Sequence, residues 1–220
     1  MDRSGKIIDN QDRFPIFHHP EARRIGLIAD THVPDRAERL HPLIGDIFRE
    51  ADLILHAGDI TTKPVLDQLN KIAPTLAVKG NNRRDRLFDP PLPEICIVRA
   101  AGGIQIAMWH GMQTPWHRLT DVIFGRAGFF DFVASRMIRR CEKILPRTEI
   151  VFFGHLHWPK LHFTENRLFI NPGRAFGKNE SSCAVMELDG RDIRIKIHPL
   201  TTASGFENLT KDWLVYHLDQ

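Results

Sequence analysis

Long apolar runs are missing from this chain. No stretch approaches the ~18 consecutive apolar residues of a membrane span, and Met1 to Lys6 lead into no apolar leader core. A soluble, cytoplasmic protein without a membrane partner is therefore expected. Cysteine is scarce: Cys96, Cys141 and Cys183 are odd in number and form no close pair, which argues against a disulfide framework. Each lies in an apolar β-like or helical stretch and is expected as a small buried hydrophobe. A strong charge of one sign is also lacking. The net charge of +3 and pI of 8.9 accommodate an anionic substrate but give no basic track for nucleic acid. Internal repeats and low-complexity segments are absent too, so neither a solenoid nor a long linker is in view.

What is present is an ordinary globular composition. The 220 residues, 42% hydrophobic and 26% charged, suffice for one α/β domain with a substantial core. Residues 1–23 carry no sustained periodicity and are expected as a loose N-terminal extension. The domain is assigned to 24–200. A C-terminal tail, 201–220, is expected to dock through Trp213, Leu214, Tyr216 and Leu218. Buried-strand runs begin at Arg24, Leu53 and Thr75 and alternate with helical patterns over His41–Ala51 and after Thr61, Thr62 and Pro64. That alternation indicates parallel strands joined by crossovers. The second half reads differently. Ile95–Ala100 and Ile104–Trp109 flank a Gly pair, Lys160–Phe163 precedes Arg167–Ile170, and Cys183–Leu188 precedes Asp192–His198. A helix is expected over Asp131–Leu145. Two mixed sheets packed face to face, with helices outside, accommodate both halves.

The most telling stretch is Glu149 to His157. Ile150–Phe153 form a short apolar run, Gly154 ends it, and His155 and His157 follow. In an extended segment their imidazoles share one side, ~6–7 Å apart. The other apolar runs end comparably: Asp30 and His32, Gly58-Asp59, Gly80-Asn81, then His110-Gly111. Glycine is expected to let the backbone turn where a side chain must be aimed into the crevice beyond the strand ends. The set holds three oxygen donors, four imidazoles and no thiolate. It suits Mn, Fe, Zn, Ni or Co rather than a structural zinc site. Seven ligands exceed what one catalytic ion takes and suit two ions ~3.5–4 Å apart that share a carboxylate.

Asp-x-His, Gly-Asp, Gly-Asn, His-Gly and Gly-His-x-His in this order resemble the calcineurin-like metallophosphoesterase superfamily. The match is best with its small bacterial and archaeal phosphodiesterases, the group that includes the retromer scaffold subunit. Asn171-Pro172-Gly173 resembles that group's closing motif. The resemblance implies a four-layer α/β/β/α sandwich and two divalent ions, manganese first among them. It makes Asp30, His32 and His157 ligands of one ion, Asp59 the bridge, and Asn81, His110 and His155 ligands of the second. It further implies catalytic roles for Asp59, Asn81 and His110.

The chain also departs from the family. Where protein phosphatases have a histidine after Gly-Asn, and many small phosphodiesterases read Gly-Asn-Cys-Asp, this chain reads Gly80-Asn81-Asn82-Arg83. Asn82 cannot protonate a leaving group. Asn82 and Arg83 are candidates for holding the substrate phosphate, with a solvated basic turn as the alternative for the arginine. His56 is expected packed or hydrogen-bonded behind the ligands, and His117 as a loop residue. His18, His19, His41, His162, His198 and His217 are expected at the surface or in structural roles. Phe124, Phe129, Phe130 and Phe132 are read as local core or as a contact between copies of a homo-oligomer.

The expected activity is hydrolysis of a small phosphodiester by in-line attack of a hydroxide generated between two ions. A weakly active metal-binding interaction scaffold on the same fold is the alternative. A nuclease is a second, although the basic track it would need is not evident.

Overall fold

The computed structural model describes residues 13–111, 128–164, 167–177, 180–201 and 212–218. Their strands form two six-stranded mixed sheets. The first half contributes β2 (Arg24–Ile28), β3 (Leu53–His56) and β4 (Thr75–Ala77), paired in parallel. Helices α1 (Leu43–Ile47) and α2 (Lys63–Asn70) make the crossovers. Pro64 stands in the first turn of α2, where its missing N–H costs nothing. Helix α1 is shorter than the pattern over His41–Ala51 indicated. The hairpin of β10 (Ser182–Asp189) and β11 (Asp192–Pro199) extends this sheet antiparallel from β2.

The second sheet runs β1-β5-β6-β7-β9-β8. Its β5 (Ile95–Arg99) and β6 (Gln105–Trp109) form a hairpin. Strand β7 (Ile150–Phe153) pairs in parallel with both β6 and β9 (Arg167–Pro172), and β8 (Pro159–Thr164) closes the edge antiparallel to β9. Two edge strands have no counterpart in the sequence reading. Ile16–His18 forms β1, parallel to β5, within the segment expected to be loose. Leu214–His217 forms β12, antiparallel to β11.

Strand periodicity divides the apolar residues between layers. Leu27, Leu55, Met108, Phe152 and Met186 meet between the sheets. Ile28, Ile54 and Val185 face outward onto Ile44 and Phe48 of the α1 segment and onto Val65 and Leu69 of α2. Gly26 makes room there, since a Cβ would sit 3.0 Å from the Phe48 ring. On the opposite side α3 (Phe130–Ile144) presents Val133, Ala134, Met137, Ile138 and Cys141 to Trp109, Val151, Phe153 and Phe169. The layers are α/β/β/α. All three cysteines are buried, and burial pushes the Cys96 and Cys141 thiols up to about 12. Phe129, Phe130 and Phe132 are half exposed rather than core; Phe124 and His117 lie outside the described residues.

Candidate metal centre

Asp30, His32, Asp59, Asn81, His110, His155 and His157 all lie just beyond strand ends, after β2, β3, β4, β6 and β7. Both sheets thus bring their carboxyl ends to one edge of the sandwich. The turns are made in an unexpected way. Asp30, His32, Asp59, His155 and His157 themselves adopt φ between 48° and 72°. Such left-handed backbone costs an L-residue roughly 1–2 kcal/mol and clusters where function requires it. The neighbouring glycines divide into two kinds. Gly58, at φ 87°, does supply conformational freedom. Gly80 and Gly154 supply space: a Cβ would lie 2.0 Å from Asp59 Oδ1 in the first case and 2.7 Å from the Ala57 carbonyl in the second.

The side chains fall into two groups with the carboxylates between them. Asp30 Oδ1 is 3.3 Å from His157 Nε2 and 3.9 Å from His32 Nε2. Asp59 Oδ2 is 3.3 Å from His32 Nε2 and 3.6 Å from His110 Nε2. Asn81 Oδ1 lies 2.8 Å from His110 Nε2 and 3.1 Å from His155 Nδ1. Potential ligand atoms of Asp30, His32 and His157 lie within 4.8 Å of one another, and so do those of Asp30, Asp59 and His110.

Donor and acceptor chemistry is unsatisfied as it stands. His110 Nδ1 faces the Ala57 carbonyl at 2.8 Å, so its proton belongs there. Its Nε2 then faces two acceptor oxygens, Asn81 Oδ1 and Asp59 Oδ2, which a second proton or a cation between them would reconcile. Among the described residues, buried Asp30 Oδ1 and both ring nitrogens of His32 have no hydrogen-bond partner. Divalent cations would satisfy these atoms together, and the N/O donor set suits them. Burial holds His155 neutral, with its pKa lowered to about 3, and lowers that of His32. Burial alone would raise the Asp30 pKa, but His157, His110 and His32 hold it well below the carboxylate range. Burial also opposes a charge on His110, yet Asp59 and Asp30 raise its pKa overall. The cluster favours positive charge at its centre and keeps two of its imidazoles as free bases.

A surrounding shell fixes the strand ends. Asn171 donates to the Gly154 carbonyl at 2.6 Å and accepts from Gly173 N–H. Asp30 Oδ2 accepts from His155 N–H, and Asp59 Oδ1 from Asn82 N–H. His56 is packed as expected: its Nδ1 accepts from Gly58 N–H and its Nε2 faces Thr31 Oγ1. Asp85 was not singled out in the sequence. It is 1% exposed and accepts from the N–H groups of Ile60, Thr61 and Gly80. One carboxylate therefore ties the Asp59 loop to the Asn81 loop.

Asn82 and Arg83 are placed less favourably for substrate. The Asn82 amide donates to Asp35 and accepts from Arg84 N–H, capping the short 3-10 helix Arg83–Leu87. Arg83 is solvent-exposed. Phe176, which no motif marks, packs its ring edge-on against His32 and His157 with centroids 5.0 and 5.4 Å away.

A family model described as the calcineurin-like phosphoesterase superfamily domain matches residues 24–191. The chain belongs to this superfamily. A protein from Methanothermobacter thermautotrophicus, named "Probable metallophosphoesterase", is 28% identical over 180 residues, covering 79% of this chain and 90% of its own. A protein from Methanocaldococcus jannaschii described in the same words is 31% identical over 177 residues, covering 80% and 81%. Among solved structures, Vacuolar Protein Sorting 29 from Cryptosporidium parvum aligns with a TM-score of 0.63 at 18% identity, over 91% of this chain and 100% of that one. The last is a likeness of fold alone. Among the described residues no helix is long and apolar enough to cross a membrane.

Proposed function

We propose that this protein is a phosphodiesterase that uses two divalent metal ions, manganese foremost, on a small phosphodiester in the cytoplasm. The observation that carries the reading is the position of Asp59 Oδ2, 3.3 Å from His32 Nε2 and 3.6 Å from His110 Nε2. A carboxylate so placed can be shared by two cations. Asp30, His32 and His157 would hold one, and Asn81, His110 and His155 the other. Ions bound there would supply Lewis acidity toward phosphoryl oxygens and toward a water.

The chain's own residues do the remaining work. The Ala57 carbonyl holds a His110 proton on Nδ1 and so aims Nε2 at the cluster. The cap that Asn82 makes leaves its amide engaged, and it carries no proton with a useful pKa. No general acid therefore stands at that position, so diesters with acidic leaving groups are favoured over alkyl monoesters.

The test is hydrolysis of bis-p-nitrophenyl phosphate by EDTA-stripped protein reloaded with Mn, Co, Ni, Fe or Zn, beside p-nitrophenyl phosphate. Metal-dependent turnover, faster on the diester and abolished in Asp59→Asn, is expected. No metal-dependent turnover, or a fully active Asp59→Asn, would sink the reading.

A further inference from the structure

Beside the His32 and His157 end of the cluster stands a second cationic feature built on Phe176. The guanidinium carbons of Arg36 and Arg174 lie 5.3 and 5.2 Å from the centre of the Phe176 ring. The ring itself meets His32 and His157 edge-on, at interplanar angles of 86° and 90°. Backbone hydrogen bonds fix both arginines to these histidines. Arg36 N–H donates to the His32 carbonyl at 2.8 Å, and Arg174 N–H to the His157 carbonyl at 3.3 Å. Ala175 N–H, next in the chain, donates to the Asp30 carbonyl at 3.2 Å. The two guanidiniums are thus held one aromatic ring away from two candidate ligands, on segments hydrogen-bonded to the backbone of those ligands.

Their accessibility fits a role toward a ligand. Arg36 is exposed and Arg174 half-buried, whereas Phe176 between them is only 9% exposed. Stacking on an aromatic face steadies a guanidinium. A steadied guanidinium loses less entropy on binding, and its planar fork matches an oxyanion through two parallel hydrogen bonds.

We infer that Arg36 and Arg174, seated on Phe176, form an anion clamp beside the metal centre, so that the preferred substrate is a phosphodiester with a second oxyanion, phosphate or carboxylate, on its retained group. The inference rests on the phosphodiesterase reading and narrows its substrate class. The clamp binds and orients; it takes no part in bond cleavage.

Three p-nitrophenyl phosphodiesters with the same leaving group test it: the ethyl, the 2-carboxyethyl and the 2-phosphoethyl ester. In the wild type, kcat/KM for one or both anionic esters should exceed that for the ethyl ester by about 10-fold, in line with one charge-assisted contact. The larger of the two preferences identifies the oxyanion. In Arg36→Gln and Arg174→Gln the preference should fall toward unity through KM, and Arg→Lys should restore part of it. A wild type without preference, or variants that slow all three esters in the same proportion, would overturn the clamp.

A separate readout guards against failure of the underlying reading. Methylenediphosphonate is titrated calorimetrically into the metal-loaded protein, which requires no turnover. Affinity about 10-fold weaker in both variants supports the clamp even if no ester is hydrolysed; equal affinity in wild type and variants overturns it. Absence of turnover on all three esters in the wild type would instead contradict the phosphodiesterase assignment.

Discussion

Gly80 and Asp59 approach each other so closely that a methyl group at residue 80 would lie 2.0 Å from Asp59 Oδ1 and 2.2 Å from the Asp59 backbone nitrogen. The loop after β4 lies against the loop after β3, and the carboxylate between the two groups of candidate ligands occupies the contact. Gly80→Ala must therefore push Asp59 aside. Overpacking of this kind costs roughly 1–3 kcal/mol, and a misplacement near 1 Å costs on the order of 10²-fold in rate. Denaturant melts together with metal-dependent hydrolysis check both figures.

Asp85 should matter nearly as much, although its hydrogen bonds among the described residues go to backbone N–H groups and not to a candidate ligand's side chain. Its Oδ2 takes the N–H groups of Ile60 and Gly80, and its Oδ1 that of Thr61. Asp85→Asn keeps one acceptor oxygen and turns an amide against a buried N–H, at a cost of about 1–3 kcal/mol. Because the lost contact sits beside Asp59, metal affinity should fall along with stability. Calorimetric titration of metal into Asp85→Asn checks this; unchanged affinity would show that the two loops hold their positions without it.

Backbone conformation at the candidate ligands is open to a separate test. His155 lies at φ 72°, where alanine is strained and glycine is not. His155→Gly should therefore be more stable than His155→Ala by about 1 kcal/mol, despite glycine's larger chain entropy. For a chain of this size that is roughly 2–4 °C in Tm. Both variants lose the imidazole, so the comparison isolates the backbone.

These residues also show where sequence reasoning reached and where it stopped. The strand cores were legible because runs such as Ile150–Phe153 are buried on both faces, and the layers follow from where those runs alternate with helices or hairpins. Candidate ligands were legible because they follow such runs. The left-handed backbone at His155 and His157 was not, since the strain falls on the candidate ligands and the glycine beside them suggested the opposite division of labour. Asp85 was hidden among Arg83, Arg84 and Arg86, in a turn whose composition reads as solvated. The edge strands β1 and β12 escaped for another reason. Each is half exposed and three or four residues long, too short for period-two alternation to register.

A pH dependence follows from His56. Burial lowers its pKa from 6.5 to about 3, so the unfolded chain binds a proton there across that interval while the folded chain does not. Stability from this group is present above pH 6.5 and is lost as pH falls toward 3, at up to about 1.4 kcal/mol per pH unit. In metal-free protein, His56→Gln should remove close to one proton from the uptake that accompanies unfolding between these values. Denaturant midpoints recorded against pH give the slope; an identical slope in wild type and variant would contradict the buried neutral imidazole.

In the proposed centre His155 and His157, two residues apart beyond one strand end, serve different ions. Anomalous diffraction from manganese-loaded crystals of wild type, His155→Ala and His157→Ala tests it directly. Two peaks are expected in the wild type. His157→Ala should lose the one beside Asp30 and His32, and His155→Ala the one beside Asn81 and His110. A single peak in the wild type, or loss of the same peak in both variants, would show that the two histidines do not serve separate ions.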